Sequence, residues 1–419
     1  MGSRSWSRAF ILAAVVPLAG ASAAAVAPSA QASPGPAGVA VRGADLSAVS
    51  AVSASDAWAV GYKCSDADCS QPDLTYSTLI QHWNGTAWSV VPSPNPGPAG
   101  RSAGQAGLRP DRFGPATDQP GTGDQLTGVS AVSASDAWAV GNGDAAGPLI
   151  LHWNGTAWSQ VTAPNLDGAV LESVSAASAR DVWATGVYTG AVGVSRILML
   201  HWNGTKWAQV ASPSPAGAVS FSVSAASPAD AWAVGRYFRT SPSGFGSLTL
   251  RWNGTKWAQV ASPSPGAAGN ELYGVSTVSP TDAWAVGESL ATDPGSYRTL
   301  ILRWNGQAWT RVPSPDPGSS YTTLSGVSAI SPDDAWAVGM YSSNQGLTDS
   351  TLALRWNGKT WAQVPTPSPD PHNSGVNDVA GVSAVSATSA FAAGYADNAW
   401  TGVNLSLILN WNGSKWSQP

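Results

Sequence analysis

From Leu272 to Pro315 the chain reads LYGVSTVSPTDAWAVG, a variable run, then RTLILRWNGQAWTRVPSPDP. Apolar and β-branched residues come in short runs of period two, and turn-forming residues interrupt each run. That pattern describes strands rather than helices. Leu272–Val278 is strand one, Ser279–Asp282 a turn, Ala283–Gly287 strand two and Thr299–Trp304 strand three. Asn305-Gly306 has the chemistry of a type I′ hairpin turn into strand four, Ala308–Val312. Pro313 and Pro315 end that strand, because proline cannot donate to a ladder. Within DAWAVG, alternation sets Trp284 and Val286 on one face and Ala283, Ala285 and Gly287 on the other.

The phrase recurs. DAWAVG-like hexapeptides begin at Asp56, Asp136, Asp181, Asp230, Asp282 and Asp334, with SAFAAG at Ser389. WNG begins at Trp83, Trp153, Trp202, Trp252, Trp304, Trp356 and Trp411. Seven units at a period of about fifty residues predict a closed toroid or a solenoid. A lone four-stranded sheet of this size would expose two apolar faces. Packing seven face to face around an axis covers them, so the expected fold is all-β, a seven-bladed β-propeller with four antiparallel strands per blade. The blades fall at about 46–94, 126–164, 171–215, 220–265, 272–315, 324–369 and 379–419, with a low-complexity insertion at 95–125. The residue before the strand-one valine is always small (Ala48, Gly128, Ser173, Ser222, Gly274, Gly326, Gly381), as crowding at a central axis requires. Most of the 22 tryptophans occupy three repeat positions, and recurring positions of this kind describe inter-blade core rather than a ligand surface.

The pattern L-x-G-V-S…D-A-W-A-V-G…L-I-L-x-W-N-G-x-x-W resembles the repeat of photosystem-assembly-factor and sialidase-type propellers. In those, strands three and four are joined by an Asp-box, S-x-D-x-G-x-T-W. The match falls on Gly306 and Trp309, with Trp304 where the box has its Asp. The resemblance runs from about Leu46 to the end and implies the propeller fold; secreted actinobacterial repeat proteins are similar. Sialidase chemistry in that family depends on an Arg-Ile-Pro motif, an arginine cluster and a Tyr/Glu pair, and this sequence contains no Arg-Ile-Pro.

Composition adds limits. With 11% charged residues and a net charge of −5, there is no electrostatic footprint for nucleic acid or an anionic membrane. Arg4 and Arg8, the apolar Phe10–Ala25 and Ala30-Gln31-Ala32 have the layout of a signal peptide over 1–32. No later run is long enough to span a bilayer. Residues 33–45 then read as a flexible lead-in to the propeller at 46–419, with Val39–Val41 able to pair across the ring seam. The expected product is a secreted monomer. Cys64 and Cys69 suit a local disulfide in that compartment.

No catalytic, cofactor or metal set emerges. His82, His152 and His201 share one repeat position, which Arg251, Arg303, Arg355 and Asn410 fill in later units, so they pack on tryptophan rather than converge on a metal. The repeated aspartates read as turn closers that hydrogen-bond their own backbone. The Asn-Gly-Thr/Ser sequons at Asn84, Asn154, Asn203, Asn253 and Asn412 are explained by turn geometry. Length variation is confined to the links between strands two and three and between blades, all on one rim. A rigid scaffold with diverse loops is how binding surfaces are commonly built. The candidate ligand-binding residues are Tyr62, Glu172, Arg236, Tyr237, Glu288, Tyr297, Arg298, Tyr341, Tyr395 and Trp400. Aromatic faces beside planar hydrogen-bonding groups suit an extracellular glycan or protein. The alternative is a glycoside hydrolase or lyase using Glu288 or Glu172 near the channel mouth.

Overall fold

The computed structural model describes residues 12–13, 40–66, 75–97, 122–143, 147–164, 166, 168–190, 194–240, 243–291, 296–318, 321–343, 348–369, 376–398 and 403–419. Among them every regular element is a strand, and no helix is long and apolar enough to cross a membrane. Seven antiparallel four-stranded units follow one another, each with its strands hydrogen-bonded in the order one-two-three-four. In blade five they are Gly269–Ser279, Asp282–Leu290, Tyr297–Trp304 and Trp309–Arg311. The first two strands run beyond the apolar pattern towards the variable rim, and the outermost is shorter than it. Two further short strands join this set. Thr122–Gly123 lies parallel to Thr75–Tyr76, and Leu12–Ala13, within the expected leader, lies parallel to Gly274–Val275 on the innermost strand of blade five.

Adjacent blades are joined in three ways, and the first two go the whole way round. The serine of G-V-S accepts a hydrogen bond from a backbone N–H of the next innermost strand. Ser50 accepts from Ala131, Ser130 from Ala176, Ser175 from Ala225, Ser224 from Thr277, Ser276 from Ala329 and Ser328 from Ala384. Ser383 of blade seven accepts from Ala51 of blade one at 3.0 Å, which closes the ring. The small residues beside these serines abut one another: a Cβ on Gly274 would lie 3.0 Å from the Cα of Gly326.

Tryptophan supplies the second joint. The strand-two ring of each blade is wedged against the strand-three and strand-four rings of the next, as Trp284 is against Trp356 at 5.1 Å and Trp361 at 5.2 Å. At the seam Phe391 takes that place against Trp83 and Trp88. The third joint is charged. Arg303 donates to Asp282 of its own blade and to the Pro332 carbonyl of the next, with its guanidinium 4.8 Å from the Trp284 ring. Arg251 and Arg355 repeat this, and in blades one to three a histidine stands there instead, as His82 does on Trp58 and Asp56. Burial raises the Asp230 carboxyl above its usual value, partly offset by Arg251.

Two turn assignments are corrected. The aspartates do not close their turns; they hold the strand-three histidine or arginine. The turn is closed instead by the serine before it, as Ser279 accepts from the N–H of Thr281. The Asn-Gly hairpin is not a two-residue type I′ turn. Trp304 pairs with Trp309, so four residues form the loop, and the Asn305 side-chain carbonyl accepts from the N–H groups of Gln307 and Ala308. Gly306, at φ 92°, supplies the left-handed residue. The Ser-Pro tail also has a role beyond ending strand four. It runs along the free edge of strand three, where Ser264 accepts from the Ser247 N–H and the Pro263 carbonyl accepts from the Ser247 hydroxyl. Such caps blunt an edge that would otherwise invite pairing with another chain.

The lead-in does form a latch. Arg42 bridges Leu405, the Val41 N–H donates to the Ser406 hydroxyl at 2.8 Å, and the Gly43 N–H donates to the Asn404 carbonyl at 2.7 Å. A chain starting at Ala44 should melt a few degrees below one starting at Ser33, ~3 °C if these bonds are worth about 1 kcal/mol each. Equal midpoints in differential scanning calorimetry would show that the ring closes without the latch.

Candidate functional site

The site begins with a glycine. In every blade the last residue of the DAWAVG phrase faces a register shift in strand one; in blade five Gly287 stands opposite Leu272, and pairing resumes at Gly274 with Val286. A Cβ on Gly287 would fall on the Glu271 carbonyl, so the missing side chain lets the two backbones close up. The extra residue is a β-bulge at the variable-rim end of the innermost strand, where it is freed from the pleat. It is the x of L-x-G-V-S. Four blades place a small residue there: Ser47, Thr127, Ser325 and Ala380. Blades three, four and five place Glu172, Phe221 and Tyr273.

Around those bulges the large groups converge. The Phe221 and Tyr273 rings are 5.3 Å apart. The Arg236 guanidinium lies 4.1 Å from the Phe245 ring centroid and donates to Glu271 Oε1 at 2.8 Å. Tyr273 Oη is 2.9 Å from Glu271 Oε2 and 3.0 Å from Glu288 Oε1, and Tyr321 Oη donates to Glu288 Oε2 at 3.3 Å. Tyr297 meets Tyr321 edge-on at 5.3 Å. A phenol has one proton, so Tyr273 donates to one carboxylate at a time.

On the outer side, strands two and three of blade four extend to the rim, paired from Arg236–Ser247 to Thr240–Ser243. Alternation sets Arg236, Phe238 and Phe245 on one face of this hairpin. Tyr237 lies on the other, its ring over Gly246 and against the Ala218–Leu248 core. Phe238 and Phe245 stack at 4.9 Å with 29° between planes. Phe238 is held by its N–H donating to the Ala216 carbonyl and by Gly217, at φ 61°, where any Cβ would strike the ring. It is nonetheless 54% exposed. Arg239 beside it donates to the carbonyls of Gly266 and Ala267.

Of the residues expected from sequence, Arg236, Glu288 and Tyr297 enter this network. Tyr395 is buried with Tyr321 and Met340, next to Tyr297. Tyr341 packs on the core that includes Trp284 and Leu324. Arg298 pairs with Asp316, and Tyr62 donates to Asp45 on blade one. Glu172, Glu288, Tyr62 and Tyr395 are therefore interior groups of the rim rather than open contacts. Trp400 and Cys69 lie outside the described residues; Cys64 is buried and disulfide-bonded. Phe221, Tyr273 and Tyr321 are not among the residues expected from sequence, because they stand inside strands rather than in the loops of unequal length. The signal was present: x is the one position of L-x-G-V-S that changes character from blade to blade. Among the described residues no three His, Cys, Asp or Glu side chains group to hold a metal.

No family model matches the chain, and no curated protein matches it. Among solved structures it is similar to U3-55K, at 10% identity over 84% of this chain and 89% of that one, with a TM-score of 0.50. It is also similar to YCF48 bound to D1 peptide, at 14% identity over 70% and 80% and a TM-score of 0.40. A third is the fungal lectin of Aleuria aurantia, at 13% identity over 69% and 92% and a TM-score of 0.43. At these identities the likeness bears on the fold alone.

Proposed function

We propose that this chain is a secreted binding module that recognises an extracellular glycan or protein through its variable rim, centred on blades four and five. One observation carries the reading. The serine and aromatic joints of the ring occur seven times over; among the described residues the set Phe221, Arg236, Phe238, Phe245, Glu271 and Tyr273 occurs once, so ring closure does not account for it. Aromatic faces beside charge-assisted hydrogen bonds on a rigid scaffold are the materials of recognition. Secretion is supported by the leader-like composition of 1–32 and by the disulfide-bonded Cys64, a state that persists in oxidising compartments. A glycan array and a pull-down from extracellular extract should each be run with the chain from Ser33; no ligand in either would sink the proposal.

A second reading, glycosidic cleavage, has one point in its favour: Glu271 and Glu288 both lie within hydrogen-bond reach of the Tyr273 phenol, so two carboxyl groups stand close together at the rim. Release of new reducing ends from a bound glycan, lost in both Glu271→Gln and Glu288→Gln, would select it.

A further inference from the structure

We infer that the outer face of Phe238 is a stacking subsite for an uncharged saccharide; this rests on the binding reading above and narrows it. Among the described residues the exposed large hydrophobics are Val90, Val194 and Phe238, so Phe238 is the one aromatic among them. Its ring is already fixed, by Phe245 on the cross-strand side and by the seat that Gly217 leaves, so little side-chain entropy remains to be lost on binding. A fixed ring that is still half exposed suits the C–H face of a pyranose, whose hydroxyls would reach the polar hairpin edge.

Charge decides the class. Arg236, on the same face of the hairpin as the ring, is paired with Glu271 and lies on the Phe245 ring, whereas Arg239 lies on the opposite face beside Tyr237 and donates to the carbonyls of Gly266 and Ala267. On the ring's own face the one cation is therefore already paired, so an anionic sugar there would lose hydration without gaining a partner. Size argues against a protein ligand here. One ring with committed neighbours is far smaller than the roughly 800 Å² per partner of a standard protein interface.

The test uses the chain from Ser33 against neutral methyl hexosides and methyl glucuronide. Neutral probes should bind with an affinity unchanged between about 50 and about 500 mM salt, a range over which exposed charge interactions are screened away. Phe238→Ala should weaken binding about tenfold or more, the scale of one lost stacking contact. Phe238→Tyr should keep it, and both variants should melt as the parent does. The inference is overturned if Phe238→Ala binds as tightly as the parent, if only the glucuronide binds with salt-sensitive affinity, or if the rim captures a protein and no sugar. In each of those cases the broader binding reading survives. Silence from every glycan and every extract removes both.

Discussion

Trp284→Ala is expected to lower the unfolding free energy by about 3–5 kcal/mol, the cost of emptying a tryptophan site in a packed core. Trp284 is fully buried between two blades, wedged against Trp356 and Trp361 and covered by the Arg303 guanidinium. Removing it therefore loosens a joint of the ring as well as leaving a cavity within one sheet. Urea denaturation followed by tryptophan fluorescence and far-ultraviolet circular dichroism measures the loss; a shift below about 1 kcal/mol would mean that the blade interface had been misjudged. Trp284→Phe is the informative partner. The Trp284 indole N–H has no hydrogen-bond partner, so phenylalanine forfeits area but no bond. Blade seven already runs with Phe391 at this position, so the cost should stay under about 1.5 kcal/mol.

Gly287→Ala should rival that effect with a single added methyl. The new Cβ would collide with the Glu271 carbonyl, a backbone atom of the strand paired with that of Gly287, so no side chain can swing away to relieve it. Overpacking of a rigid site costs about 1–3 kcal/mol, occasionally more, and here it strikes a bulge that positions Tyr273. The expected result is a melting midpoint lowered by several degrees together with loss of ligand binding at the rim. Gly147→Ala is the control, since a Cβ there meets nothing within 4 Å. If the two variants melted together, the close approach of the two strands would not be the reason for the glycine.

Much of the fold was legible because it is written locally and then repeated. Alternation of period two placed Trp284 and Val286 on one face, and the small residues before the strand-one valine announced the crowded axis. The histidines at 82, 152 and 201 pack on tryptophan, as their repeat position implied. Where the reading of turns went astray, two candidates for one bond stood close together in sequence. Ser279 and Asp282 can each cap the same turn, and only the presence of Arg303 across the blade drew the aspartate away. Ring closure through Ser383 and Ala51 could not be read either, because a serine in a strand has the same local pattern whether its hydroxyl meets water or another blade.

The sequence by itself determined the unit, its sevenfold count and the rim on which variation is allowed, because strand pairing within a blade depends on neighbours in the chain. The tertiary structure alone decided which variable residues meet. Arg236, Glu271, Tyr273, Glu288 and Tyr321 belong to three blades, and their hydrogen bonds exist only because inter-blade packing brings those rims together. It likewise decided that Phe238 stays in water while Tyr62, Glu172, Glu288 and Tyr395 do not. Exposure depends on what the neighbouring blade covers, and no periodicity within one repeat carries that information.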